Sequence, residues 1–180
     1  MTEAALFGGG SFWYVEPALA ALKGVTFVQV GYSGGVTHYP CYEQVCHQNT
    51  GHIEVVLVRY RPESISFETL LEAFFSLHDP TSLDKQGTDV GPQYASAIFH
   101  TTATQRKIAT LYIERLEKKL KAPVVTRLIP AEVFWPAEEE HINYYLNDPL
   151  DAYSLAVIQP KLRQFAKDFQ PIIKTPEDPL

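Results

Sequence analysis

The chain has 180 residues, 46% of them hydrophobic and 20% charged, a composition that fits one globular domain with a sizeable core. A formal charge of −6, with Lys and Arg scattered along the chain, excludes the basic stripe that neutralises nucleic-acid phosphates. No run approaches the roughly 20 apolar residues that cross a bilayer, and Met1-Thr2-Glu3-Ala4-Ala5 lacks the basic and apolar regions of a signal peptide, so a cytoplasmic protein without a membrane partner is expected.

Hydrophobic periodicity switches between the strand and helix repeats, which predicts an α/β or α+β sandwich around one core. The first segment, Phe7-Gly8-Gly9-Gly10-Ser11-Phe12-Trp13, reads as a strand, a tight turn and a helix start, since Val15, Leu19 and Leu22 follow at helical spacing. Such a turn lets backbone approach a ligand, and the free N–H groups of a first helical turn stabilise an anion. Ser11 is equally well placed to be a plain N-cap. Pro17 falls beyond the first turn, so the helix is expected to start late or be distorted there. A serine-hydrolase reading fails: the nucleophile elbow needs glycine two residues after the serine, where Trp13 stands, and none of the six histidines is an obvious base.

Strands are predicted over Val25 to Tyr32 and Ile53 to Tyr60, both β-branched and aromatic and bounded by glycines. Between Gly31 and Gly51 lie about twenty residues without a period, a loop of the length that usually carries function. In Thr50-Gly51-His52-Ile53-Glu54-Val55-Val56-Leu57-Val58, alternation puts Glu54 on the face of Val56 and Val58. If that face is buried, Glu54 loses hydration, keeps its proton and becomes a candidate general acid; if it faces solvent, Glu54 is unremarkable. The two cysteines, Cys41 and Cys46, are too few for a disulfide scaffold and are expected as thiols, Cys46 buried. No Cys/His ligand spacing calls for a metal.

Ser66 caps a predicted helix through Phe67, Leu70, Leu71 and Phe74, and Thr102 with Gln105 opens another that Lys118, Lys119 and Lys121 close. Further strands are predicted at Tyr94 to Phe99 and Val124 to Ile129, and a short helix at Glu138 to Leu146. The tail from Gln159 holds Pro160, Pro171, Pro176 and Pro179, so its last ten or so residues are expected to pack loosely. Tyr39, Tyr42, Asp89 and Tyr94 form an aromatic and acidic set suited to donating to a substrate oxygen beside an apolar wall, or else simply to surface and core.

Taken in order, these segments resemble A-type peptide methionine sulfoxide reductases. The resemblance rests on Gly10-Ser11-Phe12-Trp13, Gly31-Tyr32-Ser33-Gly34-Gly35, Pro40-Cys41-Tyr42-Glu43-Gln44-Val45-Cys46 and Thr50 to Glu54. It continues through His78-Asp79-Pro80-Thr81, Gln86 to Tyr94 and Phe134 to His141. It implies a two-layer sandwich with a ferredoxin-like plait core and a mixed sheet packed with helices. It also implies a single domain over 1–180, with a family-like core at about 4–147 and an extension at 148–180. The implied activity is thioredoxin-dependent repair of oxidised methionine, peptide-bound or free, as the (S)-S-oxide, with no bound cofactor. By position, the catalytic thiol falls at Ser11, the polarising acid at Glu54 and hydroxyl donors at Tyr42 and Tyr94. Asp89 completes the polar wall, and Phe12 and Trp13 cradle the S-methyl group.

Serine at position 11 departs from the family. Its hydroxyl stays protonated, and accepting the sulfoxide oxygen would require an O–O bond, so binding without turnover is expected. The serine is either introduced in place of cysteine or natural; in the second case the chain is a binding module for oxidised methionine. Gln48 replaces a family glycine, and the tail lacks the recycling cysteines of many relatives, which leaves an external thiol or a resolving role for Cys41.

Overall fold

A computed structural model describes residues 1–47, 49–176 and 178; Gln48, and with it the expected change of turn geometry, lies outside the described residues. The chain begins with β1 (Glu3–Gly9), α1 (Phe12–Ala20), β2 (Val25–Ser33), α2 (Tyr42–His47), β3 (Ile53–Tyr60) and α3 (Phe67–Ser76). A short hairpin, β4 (Lys85–Gln86) and β5 (Asp89–Val90), leads into β6 (Ser96–His100) and the long helix α4 (Ala103–Leu120). The edge strands β7 (Arg127–Pro130) and β8 (Trp135–Pro136) follow, then α5 (Tyr144–Asn147) and α6 (Gln159–Asp168).

The main sheet has the order β7-β6-β1-β3-β2-β8. Its centre is built from β1-α1-β2-β3-α3-β6 with β3 inserted between β1 and β2, the split βαβ arrangement of the ferredoxin-like plait. These pairs are antiparallel; β7 runs parallel to β6 and makes the sheet mixed. β3 is covered on both faces. Val56 and Val58 join Phe7, Leu19, Leu70 and Phe74 in the larger core, whereas Ile53 and Val55 pack with Leu6, Ala97 and Phe99.

Several expectations change. α1 starts at once at Phe12 and carries Pro17 inside it, because the Ser11 cap fixes its first turn. The long loop after Gly31 contains α2, too short to show a helical repeat. Tyr94 belongs to a 3-10 turn, Pro92–Tyr94, ahead of β6, and β7 begins at Arg127 rather than Val124. The helix predicted at Glu138 to Leu146 is broken into a 3-10 turn, Glu139–His141, and α5, because Asn143 adopts φ 54°. The tail is anchored as far as Ile173: a π-helical turn, Ser154–Ile158, leads into α6, Phe165 and Phe169 are buried, and Ile173 bridges to Leu22.

Candidate active site

The end of β1 fixes where position 11 sits. Gly10 has φ +88°, and a Cβ there would meet the Tyr14 hydroxyl at 1.9 Å, so only glycine fits. Tyr14 seals the turn from beneath, its hydroxyl donating to Gly9 O at 2.8 Å while Lys161 Nζ lies 4.7 Å over its ring. Ser11 then caps α1, with Oγ accepting the Trp13 N–H at 3.2 Å. An atom at this place feels the positive end of the helix, the field that lowers a thiol's pKa.

Glu54 enters from β3, paired in register with Tyr32 of β2, and is 2% exposed. Its Oε2 accepts the Phe12 N–H at 3.0 Å. Burial raises its pKa, the Phe12 bond opposes, Asp89 adds to the rise, and the carboxyl is pushed up to about 8. It therefore holds its proton at neutral pH, and with Oε2 engaged by an N–H, that proton belongs on Oε1.

Tyr42 of α2 and Tyr94 flank this acid. Burial, then the Glu54 carboxylate, holds both phenols above their ordinary range, so both are hydroxyl donors at neutral pH. Asp89 accepts the Tyr153 hydroxyl at 2.6 Å, and that phenol also lies against the Ser11 hydroxyl. Phe12 is buried with its ring 5.8 Å from Tyr32 and 5.7 Å from His141. Trp13 lies flat on Tyr144, centroids 3.9 Å apart at 9°, and its Nε1–H donates to His141 Nδ1 at 3.2 Å. Ser11, Phe12, Trp13, Tyr42, Glu54, Asp89 and Tyr94 thus converge on one end of the sheet. Cys46 is half-buried rather than fully buried, against Tyr42 and Gln93, with burial raising its thiol; Cys41 is exposed. Tyr39 packs on Trp135 instead, ring centroids 4.7 Å apart and tilted by 60°.

The sequence profile described as peptide methionine sulfoxide reductase matches residues 3–172. The chain belongs to the peptide methionine sulfoxide reductase family. Peptide methionine sulfoxide reductase MsrA of Chromobacterium violaceum is 47% identical to it, across 96% of this chain and 99% of the relative. Methionine sulfoxide reductase A of Corynebacterium diphtheriae superposes with a TM-score of 0.74 at 33% identity, covering 83% of this chain and 76% of that one. Mxr1 of Saccharomyces cerevisiae in its reduced form gives 0.79 at 28% identity, covering 83% and 87%. Mxr1 in complex with Trx2 shares the fold, with a TM-score of 0.56 at 23% identity over 79% of this chain and 84% of that one.

In this reductase chain the sequence reading placed Tyr32, Glu138 and His141 in the blocks of the resemblance without a role in the site, and missed Tyr14, Tyr144 and Tyr153. Glu138 ties two walls together, accepting the Tyr32 hydroxyl at 3.3 Å and the Tyr42 N–H at 3.1 Å. Glu138, Glu140 and His141 bring ligand-type atoms within 4.8 Å of one another. With His141 Nδ1 accepting from Trp13, however, the neutral ring carries its proton on Nε2, which lies 3.5 Å from Glu138 Oε2 without a hydrogen-bond partner and has no lone pair for a metal. Among the described residues no helix is long and apolar enough to cross a membrane.

Proposed function

We propose that this chain presents the substrate site of a peptide-methionine (S)-S-oxide reductase and that, with Ser11 at the nucleophile position, it holds oxidised methionine without reducing it. The observation that carries this reading is Glu54: a carboxyl still protonated at neutral pH, bonded to the first N–H of the helix that Ser11 caps. In this reading the sulfoxide oxygen accepts from Glu54, Tyr42 and Tyr94, Asp89 completes the polar wall through Tyr153, and Phe12 and Trp13 face the S-methyl group. The substrate is peptide-bound or free methionine (S)-S-oxide.

With cysteine at position 11, a thiolate would attack the sulfoxide sulfur while Glu54 gives its proton to the oxygen. The oxygen then passes from the methionine sulfur to the cysteine sulfur: a new S–O bond forms on cysteine as the S–O and transient S–S bonds to methionine break, which releases methionine and leaves a cysteine sulfenic acid. An external dithiol then supplies two electrons and two protons, becomes a disulfide and releases the oxygen as water. The Trx2 complex of Mxr1 supports a thioredoxin in that role. Cys41 and Cys46, both free thiols, fit a cytoplasmic setting.

The test is thioredoxin-coupled reduction of a peptide methionine S-sulfoxide by this chain and by Ser11→Cys, with binding measured in parallel. Turnover only in Ser11→Cys, with binding in both, is expected. No turnover in either, with native folding retained, overturns the reading.

A further inference from the structure

Glu16 is a buried carboxyl with no part in the chemistry above. It is 2% exposed on α1, three residues after Trp13 and so on the same helical face. Both of its oxygens accept one donor, the backbone N–H of Asn143, at 3.2 and 3.0 Å. Asn143 is the left-handed residue where the helix predicted from the sequence breaks, and two residues of the same turn, His141 and Tyr144, contact Trp13. His141 accepts the indole N–H, and Tyr144 stacks flat on the ring. The carboxyl lines a cleft of about 230 Å³ with Pro17, Ala20, Asn143, Tyr145 and Leu146. Among these lining residues there is no cation to draw it away from Asn143.

We propose that Glu16 is a positioning residue: by fixing the Asn143 turn against α1 it holds Tyr144 and His141 on the Trp13 indole, and so sets where that indole stands on the apolar side of the sulfoxide site. The inference rests on the reading of Trp13 as a substrate wall. Two residues of one helical face then meet three residues of one turn. Loss of the middle contact leaves the turn held to that face by ring stacking and one indole bond.

The test uses a Trp135→Phe background, in which Trp13 is the one remaining tryptophan of the two. Near-UV circular dichroism reads the Trp13–Tyr144 stack without ligand, and titration with N-acetylated, amidated methionine (S)-sulfoxide reads the site. Glu16→Ala is expected to lose most of the Trp13 band and bind about tenfold more weakly. Glu16→Gln, which keeps an acceptor, is expected to retain both. Should Glu16→Ala fail to fold, Glu16→Asp, which withdraws the carboxylate by one methylene, must show the same losses. An unchanged band and affinity in Glu16→Ala or Glu16→Asp, or their loss in Glu16→Gln, overturns the proposal. If the parent chain binds no sulfoxide, it is the substrate-site reading that fails, and the ligand-free band still decides what Glu16 does.

Discussion

Glu54 and Glu16 are each 2% exposed, each accepts a backbone N–H, and among the described residues neither makes an ion pair. Burial pushes Glu54 up to about 8 and Glu16 to about 7. Their surroundings separate them. Glu54 sits among phenols and near Asp89, at the capped end of α1, where its proton can meet a ligand. Glu16 faces one peptide group and an apolar cleft. A raised carboxyl pKa therefore marks burial first; the groups around the carboxyl decide whether its proton has anywhere to go.

The largest expected effect breaks the pair apart by activity. In a Ser11→Cys background, Glu54→Gln should lower thioredoxin-coupled turnover by about 10² to 10⁴, the range of a lost general acid, whereas Glu16→Gln should change it only a few-fold. Next comes binding: sulfoxide affinity of the unmodified chain should fall as pH rises past about 8, where Glu54 loses its proton, and Glu54→Gln should abolish that limb. Isothermal titration from pH 6 to about 10 would show it.

Stability sharpens the comparison. A carboxyl whose folded pKa is raised favours the fold fully below its ordinary value of 4.5, and that contribution is lost as pH rises through about 7 for Glu16 and about 8 for Glu54. Buried neutral His78, pushed down to about 4, works in the opposite sense below its ordinary 6.5. The difference between parent and glutamine variants isolates each carboxyl. Both variants should match the parent near pH 4 and exceed it in urea midpoint near pH 9, Glu54→Gln by the larger margin. The smallest effect is electrostatic: Asp89→Asn removes a charge that raises Glu54 and should move the binding limb to lower pH. The Glu16 contribution to the stability profile should stay where it is.

The plait centre and most of the site were legible because they depend on local pattern. The alternation around Glu54, the glycines before Ser11 and the caps at Ser66 and Thr102 each act within a few residues, and the structure keeps them. What was hidden depends on distance or on a single backbone angle. Tyr153 reaches Asp89 across 64 residues, a pairing that no period announces. Asn143 interrupts a run that otherwise reads as one helix, held by a partner 127 residues earlier. The last ten or so residues looked loose because of the tail's prolines, yet Ile173 bridges to Leu22 and the Lys174 N–H donates to Ala21 O at 2.8 Å, contacts with a segment about 150 residues earlier that no local pattern announces.

The sheet ends in two very short strands, β7 with four residues and β8 with two, and each finishes in a proline, Pro130 and Pro136. An open sheet margin would recruit other extended chains as extra strands and hold them. Here the margins offer too few consecutive donors and acceptors to zip onto a visitor.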